Sequence, residues 1–282
     1  MLAEDRLREG DLEESLRQLQ EQVRREPANA KYRVFLFQLL ALMGQWGRAM
    51  NQLNVAGELD AGTLAMVQTY REALRCEVLR GEIFAGRRSP LVFGTPDEWL
   101  ALLMEAQRLL AQGAGDQARD MRERALDAAP ATPGSIDGTP FEWIMDGDNR
   151  LGPVLEAIVN GRYYWIPFQR IRSIQIEGPE DLRDLVWMPA FFTWANGGES
   201  AGLIPTRYPG SETSSDPEVR RSRRTEWLEQ PGGAYVGQGQ RMFFTDEGEY
   251  PLMEVRRIAL ATDTDEAEAQ AGTGAESGEA LG

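Results

Sequence analysis

Apolar residues recur at helical spacing through the first 130 residues of the chain. Leu12, Leu16, Leu19 and Val23 lie three or four apart, and Pro27 closes the run. A second run holds Val34, Leu36, Phe37, Leu39, Leu40 and Leu42, ends at Gly44, and resumes with Trp46, Ala49, Met50 and Leu53. A constant 34-residue offset relates the two runs, pairing Gly10 with Gly44, Leu12 with Trp46, Ser15 with Ala49, Leu16 with Met50 and Leu19 with Leu53. That offset is the length of a helix-turn-helix repeat unit. Ser15 and Ala49 are small, as close crossing of two helices requires. A further helix is expected over about 61–84, apolar at Leu64, Val67, Leu74, Val78 and Leu79; Gly86, Pro90, Gly94 and Pro96 interrupt its partner. The pattern resumes over 99–110 and turns at Gly113 and Gly115. Ala118, Ala125 and Pro130 then keep the distances from Gly113 that Ser15, Gln22 and Pro27 keep from Gly10.

Between 130 and 140 the composition changes to Pro, Gly, Thr and Ser, and helical periodicity stops. Phe141, Trp143 and Met145 alternate as in a strand. Apolar segments at 154–159 and 162–168 flank Asn160-Gly161, a strong two-residue hairpin signal. Ile174 and Ile176 follow, then 185–194, with Pro189 predicting a bend, bulge or edge position. Shorter strands are predicted at 203–205, 241–245 and 252–260. The fold class is therefore multi-domain α+β. It comprises tetratricopeptide-like α-α helical repeats over 1–130, a linker at 131–140, a small mostly-β domain of barrel or sandwich type over 141–261, and an acidic disordered tail at 262–282.

Charge narrows the function classes. The formal net charge of −15 argues against a nucleic-acid surface. Asp263, Asp265, Glu266, Glu268, Glu276 and Glu279 supply part of it from the tail, which has no basic residue. The single cysteine, Cys76, fits a reducing compartment, and no apolar run is long enough to span a bilayer. The expectation is a cytoplasmic protein that binds neither nucleic acid nor membrane. There is no histidine. That removes Ser-His-Asp and Cys-His catalysis and the commonest metal ligand, so neither a metal nor another cofactor is expected.

Short motifs add little. Residues 198–202, Gly-Glu-Ser-Ala-Gly, match a nucleophile elbow but lack the strand-to-helix setting and the histidine, and read as a hairpin turn. Asp146-Gly147-Asp148-Asn149 starts like a calcium loop, yet Arg150 and Ala157 stand where further ligands belong. A charge-assisted structural turn is the reading adopted, with an acid/base pair of Asp146 and Asp148 as the alternative. Arg220, Arg221, Arg223 and Arg224 are expected in ion pairs. Gly237-Gln238-Gly239 lacks the third glycine of a dinucleotide loop. Cys76 reads as core.

Longer blocks are more specific: WIMDGDNRLGPVLEAIVNGRYYWIPF over 143–168, PEDLRDLVW over 179–187, IPTRYPGSE over 204–212 and RTEW over 224–227. In this order, behind a helical-repeat half, they resemble the ImpE family, also called TagJ or SciE, of type VI secretion accessory proteins. The resemblance implies a non-enzymatic cytoplasmic adaptor that binds the N-terminal helix of the small contractile-sheath subunit and modulates sheath assembly or its disassembly by the ClpV ATPase, touched indirectly. It transfers no catalytic residues. Within the blocks, Asp146, Asp148, Arg150, Arg207 and Tyr208 are structural or interaction candidates. A helix-binding groove is expected around Tyr32, Phe35, Leu36, Leu39 and Tyr70. A carboxylate-dependent enzyme and a self-associating scaffold are the alternatives.

Overall fold

The computed structural model describes residues 11–261, so Gly10 and the acidic tail lie outside the described residues. Among the described residues six long helices come first: α1 (Leu12–Arg25), α2 (Ala30–Leu42), α3 (Trp46–Leu59), α4 (Leu64–Phe84), α5 (Glu98–Ala111) and α6 (Gly115–Ala128). The 34-residue offset reappears as geometry, because α1 and α3 are each 14 residues long and begin and end 34 residues apart. Ser15, Ala49 and Ala118 are all buried, so close contact falls at equivalent points of α1, α3 and α6. Local chemistry sets the ends. Asp11 caps α1 by accepting from the Glu14 N–H, Asn29 caps α2, and Gly44 and Gly113 take the left-handed conformation that ends α2 and α5.

A nine-stranded sheet follows, in the order β1-β6-β5-β9-β8-β7-β14-β2-β3. Its strands are β1 (Leu91–Val92), β2 (Gly134–Ile136), β3 (Thr139–Phe141), β5 (Val154–Val159), β6 (Arg162–Pro167), β7 (Ile171–Ile176), β8 (Trp187–Trp194), β9 (Glu199–Pro205) and β14 (Arg257–Leu260). A three-stranded sheet joins β4 (Ile144–Asp146), β12 (Met242–Thr245) and β13 (Glu249–Pro251); β10 (Thr225–Gln230) and β11 (Ala234–Gly239) form a separate hairpin. One further short helix, α7, spans Pro217–Arg220. Asn160 and Gly161, both at positive φ, make the tight turn from β5 to β6 that their sequence predicts.

The expected partition of the chain needs revision. The hydrogen-bonded order has two ends, β1 and β3, so the large sheet is open where a closed barrel was one expectation. The segment expected as a linker holds β2 and β3, because its Gly and Pro residues fall beside or within two short strands. The helical half contributes β1, which pairs with β6. Pro189 lies in an interior strand. Its carbonyl accepts from the Glu177 N–H at 3.1 Å, just past the end of β7, so the missing amide removes little from the ladder. Residues 198–202 enter β9, and the turn itself lies just before them, at 195–197.

Alternation along the central strands explains how the halves join. On β5, Val154 and Ile158 belong to the core shared with the helices, whereas Leu155, Ala157 and Val159 belong to a second core. On β6, Tyr163 and Trp165 face the helices, and Ile166 the second core. Trp187 of β8 packs against Trp46 and Tyr70, with ring centroids 6.1 and 5.7 Å away. One apolar cluster thus runs from α1 to the sheet. No helix among the described residues is long and apolar enough to cross a membrane.

Candidate functional site

Burial puts Glu156 of β5 on the helix side of the sheet, where Arg80 of α4 reaches it. Arg80 Nε donates to Glu156 Oε1 at 2.6 Å and Nη2 donates to Oε2 at 2.8 Å, a bidentate pair across the helix–sheet interface. The Tyr163 hydroxyl also donates to Oε1, and Arg241 donates to Oε2. Arg241 then bonds Asp146 and, through Nε, the Pro205 carbonyl at 2.9 Å. Tyr208 donates to Asp146 Oδ1 at 3.0 Å. Arg80, Glu156, Arg241, Asp146 and Tyr208 all have relative exposures of 3% or less.

Asp148 closes the turn from β4. It accepts from Arg150 Nε at 2.8 Å and from the Arg150 and Gly237 N–H groups, both at 2.9 Å. Arg150 stacks over Phe84 with its guanidinium carbon 4.6 Å from the ring centre. Arg207 turns toward the helices. Its Nη1 donates to the Leu42 carbonyl at 2.7 Å, so it satisfies the end of α2, where the helix dipole favours a cation. Glu77 accepts from Trp187 Nε1 at 3.0 Å.

The electrostatics fit a fixed network. Burial works to raise the Glu156 carboxyl, but the guanidiniums of Arg80 and Arg241 hold it down to about 2. Burial dominates at Asp146 and lifts it to about 6 against the pull of Arg241, with Asp148 adding to the rise. The Glu77 carboxyl is raised, again by burial. Each carboxylate oxygen of Asp146 and Glu156 already has a protein donor. The five candidates from the sequence blocks are therefore gathered in or beside one buried ionic lattice. Glu156, Arg80 and Arg241, which complete it, carried no local sequence signal: Arg80 and Glu156 are 76 residues apart.

The groove candidates are placed differently. Leu36 and Leu39 are buried in the shared core, and Tyr70 lies between Phe37 and Trp187 with Arg183 over its face. Only Tyr32 and Phe35 are half-buried. The chain's own sheet packs against Leu36 and Leu39, whereas Tyr70 reaches the edge of an open trough beside α4. An open cavity begins at Tyr70. A trough of about 1020 Å³ runs between Gln68, Thr69 and Glu72 of α4 and the uncovered sheet around Pro189, Phe191 and Leu203. Among the described residues no cluster of three Asp, Glu or Cys side chains is placed to hold a metal ion. The arginine run is largely ion-paired, Arg220 to Glu13, Arg221 to Glu218, and Arg224 to Asp216 and Glu226.

Comparison with known proteins decides the family. Residues 138–259 match the model of the ImpE protein family. The chain is 55% identical over 258 residues, covering 92% of this chain and 90% of the relative, to the type VI secretion system accessory component TagJ of Pseudomonas aeruginosa. The chain belongs to the ImpE family of type VI secretion accessory proteins. Its fold recurs in protein VPA1032 of Vibrio parahaemolyticus, whose crystal structure superposes with a TM-score of 0.84 at 22% identity, over 93% of this chain and 98% of that one. The ImpE-matching region contains Asp146, Asp148, Arg150, Glu156, Arg207, Tyr208 and Arg241, but not Arg80, which comes from the helices.

Proposed function

We propose that this protein is a non-enzymatic cytoplasmic adaptor of the type VI apparatus. It holds the N-terminal helix of the small contractile-sheath subunit and thereby modulates sheath assembly or ClpV-dependent disassembly. The observation that carries this reading is the contrast between saturated chemistry and open surface. The one pair of carboxylates with catalytic appearance, Asp146 and Asp148, is buried and bonded to arginines, tyrosine and backbone. General acid/base work needs a proton-transfer group within reach of a substrate, and here no room is left for one. The trough beside α4, in contrast, is wide and partly apolar, as polypeptide docking requires.

Titration calorimetry of the whole chain with a synthetic peptide of that subunit's N-terminal helix tests the proposal. Saturable binding is expected at tens of micromolar or tighter, about −6 kcal/mol or more favourable. No binding in that range contradicts the adaptor reading. Turnover lost on double replacement of Asp146 and Asp148 by Asn, with the fold intact, would favour an enzyme instead.

A further inference from the structure

Helices cover the large sheet unevenly. On the helix-facing side, side chains line up in rows across paired strands. Ile158, Leu203 and Pro189 form one row; Ala201, Phe191, Gln175 and Arg257 form the next. The first row meets the packed helices at Ile158 and Leu203, which are both buried. The second row is bare. Phe191 is 40% exposed, and Ala201, Gln175 and Arg257 are exposed as well. The trough lies over these rows, with α4 as one wall and Arg256 and Arg257 as the opposite rim.

We infer that this trough docks an amphipathic α-helix of a partner protein. The helix sets an apolar stripe on Leu203, Pro189 and Phe191, a basic flank toward Glu72 and an acidic flank toward Arg256 and Arg257. The inference rests on the adaptor reading and relocates its contact surface from the helical repeats to the sheet. Backbone pairing selects a helix over an extended peptide. Each of β9, β8 and β7 is already bonded on both sides, so no free strand edge lies beneath the trough. A helix laid there extends the layer that α4 begins, which is the ordinary way to cover a sheet face. The size agrees. A helix about 10 Å across with its side chains fills about 420 Å³ per turn, so the 1020 Å³ trough takes a little over two turns.

Charge defines the flanks. The Arg257 guanidinium has no hydrogen bond or ion pair among the described residues, and Arg256 Nη1 donates only to the Met253 and Val255 carbonyls. The Asp137 carboxylate accepts from the Arg256 and Arg257 backbone N–H groups, and Glu177 lines the trough beside them. Yet neither guanidinium is ion-paired among the described residues, so both are suited to receive carboxylates. Across the trough, Glu72 pairs only with exposed Arg75, leaving it able to exchange that partner for a cation of the incoming helix.

The full chain and the sheath-subunit helix peptide, with binding followed by fluorescence anisotropy, provide the test. Phe191→Asp and Ala201→Trp each weaken binding about tenfold or more, the first by placing a charge on the stripe and the second by filling the trough. The double change Arg256→Glu, Arg257→Glu weakens it by about threefold to tenfold at low salt and by less at high salt. Thermal unfolding of all these variants stays near wild type, because the altered side chains are exposed. If the wild type binds and both Phe191→Asp and Ala201→Trp bind as tightly, the inference falls while the adaptor reading stands. If the wild type does not bind, both fall. Two further outcomes overturn it: a large gain in affinity on removing residues 262–282 makes the chain's own acidic tail the occupant, and a dimer dissolved by Phe191→Asp makes it a second copy.

Discussion

Along α4 the protein handles charge in two ways. Near its C-terminal end Arg80 is buried and locked to Glu156, whose other donors are Arg241 and Tyr163. Two turns earlier, near the middle of the helix, Glu72 looks across an open trough toward Arg256 and Arg257, whose guanidiniums have no ion pair among the described residues. Both places lie on the same face of the same sheet. What separates them is whether a helix covers the strands. Where α4 seals the sheet, charges must be matched inside the chain, since an unmatched buried charge is strongly unfavourable. Where it does not, unmatched charges remain hydrated and free to choose a partner. The first region holds the two halves in register; the second is where recognition can occur.

The largest expected effect lies in the buried lattice. Replacing Arg241 by Ala leaves Asp146 and Glu156 without their shared cation and should destabilise the fold by about 3–5 kcal/mol in urea unfolding. A loss below 1 kcal/mol would erase the distinction between the two regions. Next comes Gly237→Ala. A Cβ there would stand 2.2 Å from the Tyr208 ring, so the Tyr208–Asp146 bond must shift, and a loss of about 1–3 kcal/mol is expected. Peptide affinity of whatever fraction remains folded should be unchanged, because neither residue reaches the trough.

A smaller effect depends on pH. Asp146 has a folded pKa of about 6, above its ordinary 3.8, so between these values the folded state binds more protons than the unfolded one. Its contribution is fully present below pH 3.8 and is lost as pH rises through 6. Glu156 acts in the opposite sense, its contribution being lost as pH falls from 4.5 toward 2. Comparing urea midpoints of wild type and Asp146→Asn isolates the first group. Relative to the variant, the wild type should lose stability from pH 4 to 6 and then level off. A rise over that window would contradict the assignment. Smallest of all is Arg224→Ala, whose half-exposed ion pairs with Asp216 and Glu226 should leave unfolding unchanged within error.

Local features of the fold were legible in the sequence. The 34-residue offset anticipates α1 and α3, and Asn160-Gly161 anticipates the β5–β6 hairpin, because short-range backbone preferences encode both. Asp146, Asp148 and Arg150 were recognisable as a charge-assisted turn for the same reason. What the sequence concealed is long-range. Nothing in the spacing of Arg80, Glu156 and Arg241 ties them together, since only the docking of α4 on β5 brings them within bonding distance. The same docking explains the fate of the expected groove. Leu36 and Leu39 on α2 and Tyr70 on α4 are apolar helical positions, and periodicity does not distinguish positions awaiting a partner from ones packed into a core shared with the chain's own sheet. The trough over Phe191 had no motif at all. It arises from which strands the helices leave bare.

The central claim, that a partner helix lies over β7–β9 beside α4, is tested most directly by photo-crosslinking. A photoreactive benzoylphenylalanine replaces Phe191 in one preparation and Tyr32 in another, and each is irradiated with the small sheath subunit. The account predicts an adduct at position 191, mapped to the subunit's N-terminal helix, and none at position 32. An adduct at position 32 alone would return the contact to the N-terminal helices and contradict it.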